Sequence, residues 1–431
     1  MTDDWSDAML RSGRRAWRFS LAGTLVSALG NGLTFPFLFV FLHGVRHLSL
    51  PFAGIIVAVG AVIAFALAPI GGALGDRIGL GRLLVVGLVV SGVGTALLAL
   101  LDSATGAFVA VALTAAGQSF SWPSLNGLVA LQLPPAARQR AYALRFGVLN
   151  AGIGVGGLVS GFVVSISRPS SFELVYLLDA AGSLVFAVIV LVGMRNSPGF
   201  ARSASVHPDA PPQPDGRRGY RQVLANRPFV GFLVCSFLFF LFGYAQLNGP
   251  WAIFATLIVG GGPQVVGIAF AVNTATIVAC QLLVTRISRR WRRSRSLLSA
   301  GLFWMLAWGI SATALVPAFR GPIAFVALAV SLGVFGLGET FFSVVAGALP
   351  NDLAEPELRG RYNAASAAIT SVAGFVGPPL AGLLLGSAVP TSWIFVIVAG
   401  MALTSVGTVV LGRLLPPSVD RPPADEFSAV L

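Results

Sequence analysis

Residues 83–101 read LLVVGLVVSGVGTALLALL, a run without a single charged side chain. A helix needs about 20 apolar residues to cross the hydrocarbon core of a bilayer, so this run is long enough to span one. Similar runs recur along all 431 residues, which are 56% hydrophobic and only 10% charged. Soluble domains carry about 25% charged residues, so this composition excludes a soluble enzyme and a disordered chain.

Apolar runs of this kind, separated by charged residues, glycines or prolines, predict twelve membrane-spanning helices. The predicted spans cover residues 17–42, 51–74, 83–101, 107–131, 142–166, 174–194, 229–256, 264–286, 297–316, 322–349, 362–386 and 392–414. The fold class is therefore an all-α membrane protein, since a helix satisfies its own backbone hydrogen bonds inside lipid. The first run is too long for a signal-peptide core, so we interpret it as an uncleaved span.

The arginines indicate how the spans are oriented. The chain has no lysine, so all 28 basic residues are arginines. On one side of the predicted membrane the loops contain only Arg46, Arg168 and Arg320, and the other arginines fall at the termini and in the remaining loops. An excess of positive charge marks the cytoplasmic side. We therefore expect an inner (plasma) membrane protein with both termini in the cytoplasm, whose net charge of +12 does not reflect binding to nucleic acid.

Several kinds of site are excluded by the residues that the chain lacks or holds in small number. A P-loop and a Schiff base both require lysine. The two cysteines, Cys235 and Cys280, lie in separate apolar runs and offer neither a disulfide framework nor a zinc site. His43 and His47 are four residues apart but have no third candidate ligand nearby in the sequence. We expect no cofactor, no metal and no catalytic residues.

The chain is predicted to contain two related halves. Residues 195–228 are rich in proline, serine and arginine and form a predicted cytoplasmic linker between residues 1–194 and 229–431. A shift from position 117 to position 338 places the sequence GQSF on GETF, and the same shift places RQR at 138–140 on RGR at 359–361. Duplicated six-helix bundles are typical of transporters that rock two halves around a site near the bilayer midplane.

Three motifs resemble the major facilitator superfamily. Residues 72–79, GALGDRIG, resemble its signature loop, while 31–37 (NGLTFPF) and 338–340 (GET) are similar to segments of its bacterial drug/proton antiporters. The resemblance implies the major facilitator fold, with twelve transmembrane helices in two pseudo-symmetric six-helix bundles. It also implies that the signature loop latches the outward-facing state by contact near span 11. The implied latch residues are Gly72, Asp76, Arg77, Gly79 and Arg82.

Two acidic residues inside the predicted spans are candidates for proton coupling. A charge in the hydrocarbon region is costly, so an embedded acid is a functional candidate. Glu339 lies near the middle of span 10 and Asp179 lies in the outer part of span 6. An acid that is neutral in apolar surroundings and loses its proton when water enters can couple proton flux to alternating access. The alternatives are a structural carboxyl at Glu339 and an acid that reaches outer-surface water at Asp179.

Polar and aromatic residues on helix faces predict a substrate cavity. Thr24, Ser27, Asn31 and Thr34 share one face of span 1, because their spacings of three and four residues match the helical repeat. The proposed cavity residues are Asn31, Thr34, Phe35, Gln118, Trp122, Asn150, Gln246, Asn248, Trp251, Asn273 and Thr370. The alternative is hydrogen bonding between helices, worth about 0.6 kcal/mol per pair. Arg145, near the start of span 5, is interpreted as extending to the cytoplasmic surface, and the alternative is that it binds an anion.

The resemblance implies a proton-coupled secondary transporter that exports small hydrophobic or amphipathic compounds by alternating access. Its partners would be a small-molecule substrate, protons and membrane lipid, and we expect a monomer. The rival hypotheses are an uptake carrier for a sugar, peptide or lipid precursor, an integral membrane enzyme, and a sensor without flux. An enzyme of this class would need clustered acids or a His–Asp pair at the membrane interface, and the sequence shows neither.

Overall fold

The computed structural model describes residues 7–197, 199–200, 216–247, 249–288, 291–355 and 358–421. Helices make up nearly all of these residues, and no strand occurs among them. The chain divides into a first unit, Met1–Asp209, and a second unit, Ala210–Leu431. This division falls inside the predicted linker at 195–228, and the helical part of the second unit begins within that linker.

The described residues of the first unit form six long α-helices and one short one. They are α1 (Asp7–Thr34), α2 (Leu38–Val40), α3 (Leu50–Ile78), α4 (Leu80–Leu100), α5 (Ala104–Gln132), α6 (Pro135–Val163) and α7 (Pro169–Met194). Proline occupies the first turn of α6 and α7, where its missing N–H leaves no hydrogen bond unmade. Ser103 caps α5 by accepting a hydrogen bond from the Gly106 N–H. Gly79, with φ 95°, provides the turn between α3 and α4.

The second unit has eleven helices in its described part. They are α8 (Gly216–Ala225), α9 (Arg227–Phe239), α10 (Ala245–Leu247), α11 (Pro250–Ile253), α12 (Pro263–Ser288), α13 (Arg293–Thr313), α14 (Pro322–Ala346), α15 (Leu349–Leu353), α16 (Arg359–Leu385), α17 (Ser392–Leu414) and α18 (Pro417–Asp420). The Asn226 side chain caps α9 by accepting a hydrogen bond from the Phe229 N–H. Helices α9, α10 and α11, with two π-helical turns, together make up the seventh predicted span.

The prediction of twelve membrane helices is confirmed. Eleven stretches of the described residues are long and apolar enough to cross a bilayer. The remaining predicted span, 107–131, corresponds to α5, which is 29 residues long but carries Gln118, Ser119 and Ser121 near its middle. These polar residues lower the mean hydropathy of α5, and Gln118 and Ser121 also bring hydrogen-bonding groups into the interior of the first unit.

Glycines allow close helix contacts in the first unit. A Cβ atom added at Gly156 on α6 would overlap the Leu29 carbonyl of α1. A Cβ added at Gly117 on α5 would overlap the backbone of α4 near Ser91. In membranes, where lipid is as apolar as a helix surface, such close van der Waals packing is a principal source of helix association.

Tryptophans fill the interior of the second unit. Trp251, Trp304, Trp308 and Trp393 are fully buried. The indole N–H of Trp304 donates to the Phe335 carbonyl over 2.9 Å, and that of Trp308 donates to the Phe242 carbonyl over 3.0 Å. Each buried indole therefore contributes apolar contact area while its polar atom remains satisfied.

We expect Gly156→Ala and Gly147→Ala, both on α6, to differ in their effect on stability. Alanine favours a helix over glycine by about 1 kcal/mol, so Gly147→Ala should leave the unfolding midpoint unchanged or raise it, since no described atom lies within 4 Å of its added Cβ. Gly156→Ala should lower the free energy of unfolding by about 1–3 kcal/mol, because backbone atoms of α1 must move. Thermal unfolding in detergent measures both, and equal midpoints would show that α6 does not pack closely on α1 at Gly156.

Candidate functional site

A polar cavity lies inside the first unit among α1, α4, α5, α6 and α7. Its volume is about 50 Å³, enough for a few water molecules. Ten of its lining residues are polar: Thr24, Ser27, Asn31, Ser91, Thr95, Gln118, Ser121, Arg145, Asp179 and Ser183. Buried polar groups require hydrogen-bond partners, so a cavity with this lining suits water or a polar ligand.

Asp179 lies inside the first unit and lines the cavity. It is 5% exposed, and its Oδ2 accepts a hydrogen bond of 2.8 Å from the Thr34 hydroxyl at the end of α1. Gly30 permits this approach, since a Cβ added there would overlap Asp179 Oδ1. The carboxyl therefore belongs to the α1–α7 contact and to the cavity wall.

Arg145 gives the same cavity a fixed positive charge. The side chain is buried, its Nη1 donates to Asn126 Oδ1 over 2.6 Å, and its guanidinium lies 5.6 Å from the centre of the Trp122 ring. This arrangement differs from the predicted extension to the cytoplasmic surface. The reason is that an acceptor and an aromatic face are both within reach inside the unit.

The first unit brings together part of the predicted substrate cavity. Asn31, Gln118 and Trp122 line the polar cavity. Thr34 donates a hydrogen bond to Asp179, which also lines it. Phe35 is half exposed, and the Asn150 amide donates to the Phe146 carbonyl one turn earlier in α6.

Sequence reasoning missed four polar residues that line this cavity, Ser91, Thr95, Ser121 and Ser183, and it assigned Arg145 to the surface. Their spacing could have revealed three of them, because residues four apart lie on the same face of a helix. Ser91 and Thr95 share a face of α4, and Ser183 shares a face of α7 with Asp179.

Glu339 of α14 is the centre of a polar site in the second unit. Asn273 of α12 donates to Glu339 Oε2 over 2.7 Å and also to the Leu332 carbonyl over 3.1 Å. The Tyr244 hydroxyl, from a π-helical turn of the seventh span, forms a further hydrogen bond with the Glu339 carboxyl. Three separate elements therefore converge on one carboxyl group.

Aromatic rings enclose the tyrosine that contacts Glu339. The Trp304 and Phe335 rings stack in parallel with centres 4.5 Å apart. The Tyr244 ring meets Trp304 edge-on at 5.0 Å and lies 6.1 Å from Phe342. Such surroundings leave Glu339 few polar partners and favour an acid that can exist in its neutral form.

The other cavity residues predicted in the second unit have partners within that unit. Gln246 is buried, accepts a hydrogen bond of 2.9 Å from the Trp393 indole and donates to the Leu241 carbonyl. The Trp251 indole donates to Ser311 Oγ over 3.1 Å. Thr370 donates to the Ser366 carbonyl of its own helix. Asn248 lies outside the described residues.

The predicted latch residues lie around the turn between α3 and α4. Gly72 and Arg77 are exposed on α3, Gly79 forms the turn, and Arg82 is exposed on α4. The side chain of Asp76 lies outside the described part of the chain.

The chain after α7 is hydrogen-bonded to this turn. The Gly81 N–H donates to the Gly199 carbonyl over 3.0 Å, and the Arg82 N–H donates to the Phe200 carbonyl over 3.1 Å. Phe200 packs into an apolar cluster with Leu84 and Leu128. The turn is therefore anchored within its own unit.

Comparison with known proteins identifies the family. The sequence profile of the Major Facilitator Superfamily matches residues 20–259 and 246–430. The chain is 21% identical over 397 residues to the uncharacterized MFS-type transporter YqjV of Bacillus subtilis, covering 89% of this chain and 90% of YqjV. It is 28% identical over 317 residues to the multidrug resistance protein MdtH of Aeromonas hydrophila, covering 72% of each.

Solved structures show the same fold. A POT family transporter in complex with 5-aminolevulinic acid superimposes with a TM-score of 0.75 at 12% identity, covering 94% of this chain and 97% of that one. A bacterial homologue of the lysosomal transporter Spinster superimposes with a TM-score of 0.68 at 14% identity, covering 94% and 96%. The profile match, the twelve membrane helices and these likenesses show that the chain is a multi-pass membrane transporter, not an enzyme, and that it belongs to the Major Facilitator Superfamily.

Proposed function

We propose that this protein is a proton-coupled secondary transporter that exports small hydrophobic or amphipathic compounds by alternating access. Its location would be the inner (plasma) membrane, with both termini in the cytoplasm. The observation that carries the proposal is the environment of Glu339, an acid in a membrane helix with Asn273 and Tyr244 as its polar side-chain partners.

A proton changes the cost of keeping Glu339 in this environment. The charged form is expensive away from water, whereas the neutral acid is tolerated among aromatic rings. A state in which water reaches the carboxyl therefore favours release of the proton, and a dry state favours its retention. Alternation between two such states would link proton movement to a conformational change. Asp179 is the second candidate, because this acid is buried and also lies in a membrane helix.

The substrate class is proposed from relatives and from chemistry. Proteins named MdtH in several bacteria, described as multidrug resistance proteins, match this chain at 23–28% identity. Exposed aromatic side chains in the membrane helices, such as Phe35 and Trp122, offer surfaces that suit apolar or aromatic compounds. The Arg145 guanidinium lies over the face of the Trp122 ring, so a charged group lies beside this aromatic surface.

Glu339→Gln should abolish the accumulation of substrate that an imposed pH gradient drives in proteoliposomes. The amide keeps a similar shape but cannot exchange a proton, so substrate should still equilibrate down its own gradient. Glu355→Gln is the matched control, since Glu355 is exposed in the turn before α16 and should retain full coupling. If Glu339→Gln still accumulates substrate against its gradient, coupling does not pass through this carboxyl.

The pH dependence of substrate binding separates export from uptake. If substrate and proton exchange at the site, substrate binds the deprotonated protein better, so its stabilising effect grows as the pH rises and is lost as Glu339 takes up its proton. An uptake carrier that binds both together would show the opposite slope. At 100 times the dissociation constant, a ligand stabilises by about 2.7 kcal/mol, which thermal unfolding detects.

Drugs, sugars and peptides should be tested by this thermal-shift assay at two pH values. We expect stabilisation by a hydrophobic or amphipathic drug at the higher pH and a pH-independent effect in Glu339→Gln. Stabilisation by a sugar or peptide that is stronger at the lower pH would instead support the uptake carrier.

A further inference from the structure

The first span of each unit departs from α-helical geometry part-way along its length. In the first unit α1 ends at Thr34 and is followed by a 3₁₀ turn, Phe35–Phe37, that contains Pro36. Proline cannot donate a backbone hydrogen bond, so a break at this point is expected. In the second unit α9 is followed by a π-helical turn, Phe240–Tyr244. Turns of either kind inside long helices often mark positions that move or function.

A buried acid contacts the break in the first unit. Thr34 is the last residue of α1, and its hydroxyl donates to Asp179 Oδ2 over 2.8 Å. The same hydroxyl lies 3.3 Å from the Gly30 carbonyl of its own helix. Thr34 and Asp179 are 6% and 5% exposed. The carboxyl is therefore a tertiary partner of the residue at which α-helical geometry ends.

The second unit repeats this arrangement with different residues. Tyr244 closes the π-helical turn, and its hydroxyl bonds to Glu339 of α14. Trp304 and Phe240 pack against the Tyr244 ring at 5.0 and 5.1 Å. A change in the Glu339–Tyr244 hydrogen bond therefore acts on a side chain whose own backbone lies in the irregular turn.

The two acids occupy positions that the internal repeat does not relate. The repeat pairs Glu339 with Gln118 on α5, whereas Asp179 lies on α7. Duplication of one ancestral acid does not explain why both units have an acid bonded to a hydroxyl at the break. What the units share is the contact itself, between a membrane-embedded carboxyl and the irregular turn of the first span.

We propose that Thr34 and Tyr244 are positioning residues that transmit the protonation of Asp179 and Glu339 to the irregular turns of the first spans. This inference rests on the proposed proton coupling and adds the residues through which each unit responds. A hydroxyl donates to a charged carboxylate about twice as strongly as to a neutral acid, so protonation weakens the contact. The irregular turn then opens more readily, because neither the 3₁₀ turn of the first unit nor the π-helical turn of the second has the regular hydrogen-bond pattern of an α-helix.

The helices that pack against the two acid-bearing helices carry their other charged side chains mainly toward the helix ends. The Asp179 helix, α7, packs against α1 and α4. Their described charged side chains are Arg14, Arg15 and Arg18 in the first half of α1 and Arg82 in the first turn of α4. Tyr176 and Glu173 lie on α7 itself, and Arg145 of α6 lines the same cavity as Asp179.

The Glu339 helix, α14, packs mainly against α12 and α13. Their charged residues are Arg286 in the last turn of α12, and Arg293 and Arg295 in the first turn of α13. Asp352 of the neighbouring α15 pairs with Arg293. Tyr244 is thus the titratable side chain that the structure places in direct contact with Glu339.

Hydrogen–deuterium exchange of the purified, full-length protein tests the inference without a substrate. Peptides covering Phe35–Phe37 and Phe41–Val45 report on the first unit, and peptides covering Phe240–Tyr244 report on the second. After correction for the pH dependence of chemical exchange, we expect both segments to exchange about tenfold faster at about pH 5 than at about pH 8. Equal corrected rates at both pH values would overturn the proposal.

Variants separate the two units. Thr34→Val should remove the pH dependence of the first segment only, and Thr34→Ser should restore it because serine keeps the hydroxyl. Tyr244→Phe should remove the pH dependence of the second segment only. Asp179→Asn should remove the pH dependence of the first segment, and Glu339→Gln should remove that of the second. A variant that alters both segments, or that loses protection throughout α4 and α13, acts through general unfolding and counts against positioning.

Thr256→Val provides the matched control. Thr256 is buried in the π-helical turn Phe254–Ile258 of the seventh span and donates to the Ala252 carbonyl of its own helix. It should leave the pH dependence of both segments unchanged. Loss of the pH response in this variant would show that any buried threonine at an irregular turn has the effect, and would overturn the assignment.

Failure of the positioning role can be distinguished from failure of the proposed proton coupling. If the segments respond to pH and the variants act as described, but a pH gradient drives no transport, the positioning role stands and proton coupling fails. If transport is proton-coupled but the segments do not respond to pH, the positioning role alone fails.

Discussion

The cost of placing a carboxyl group in an apolar membrane helix explains the arrangement around Asp179 and Glu339. Each acid is placed where a hydroxyl or amide from another helix can reach it: Thr34 meets Asp179, and Asn273 with Tyr244 meets Glu339. A buried polar group without a partner would be costly, so these contacts constrain how α1 packs on α7 and how α12 packs on α14. The atoms that join these helices are therefore also the atoms of the two candidate proton-coupling sites.

The two units meet this constraint differently. The first unit uses glycines for close approach, as at Gly30 beside Asp179, and leaves a polar cavity next to the acid. The second unit surrounds its site with large rings, among them Trp304 and Phe335, which stack in parallel. Asp179 therefore borders a polar cavity, whereas Glu339 lies beside aromatic rings, so the two acids have different surroundings in one chain.

The membrane helices could be predicted because hydropathy is a property of local sequence. The run at 83–101 corresponds to α4, and the long helices follow the other predicted spans, α5 included. The site was predicted less completely. Asn31 and Gln118 line the first-unit cavity, but Gln246 and Trp251 bond to side chains of α17 and α13 inside the second unit. Arg145 lies over Trp122 in the interior, although its position near a predicted span end suggested the surface.

Composition, spacing and the resemblance to known motifs were sufficient to indicate twelve helices, a duplicated chain and two candidate acids, because each depends on residues close together in sequence or on their identity. The identity of the groups that contact each acid depends on the rotation of every helix about its axis and on contacts such as Thr34 with Asp179, 145 residues apart. Several polar residues on one helix offer similar faces, and only packing against particular neighbours selects among them. The tertiary structure therefore assigns the hydroxyls at the irregular turns to the acids, which spacing within a single helix does not reveal.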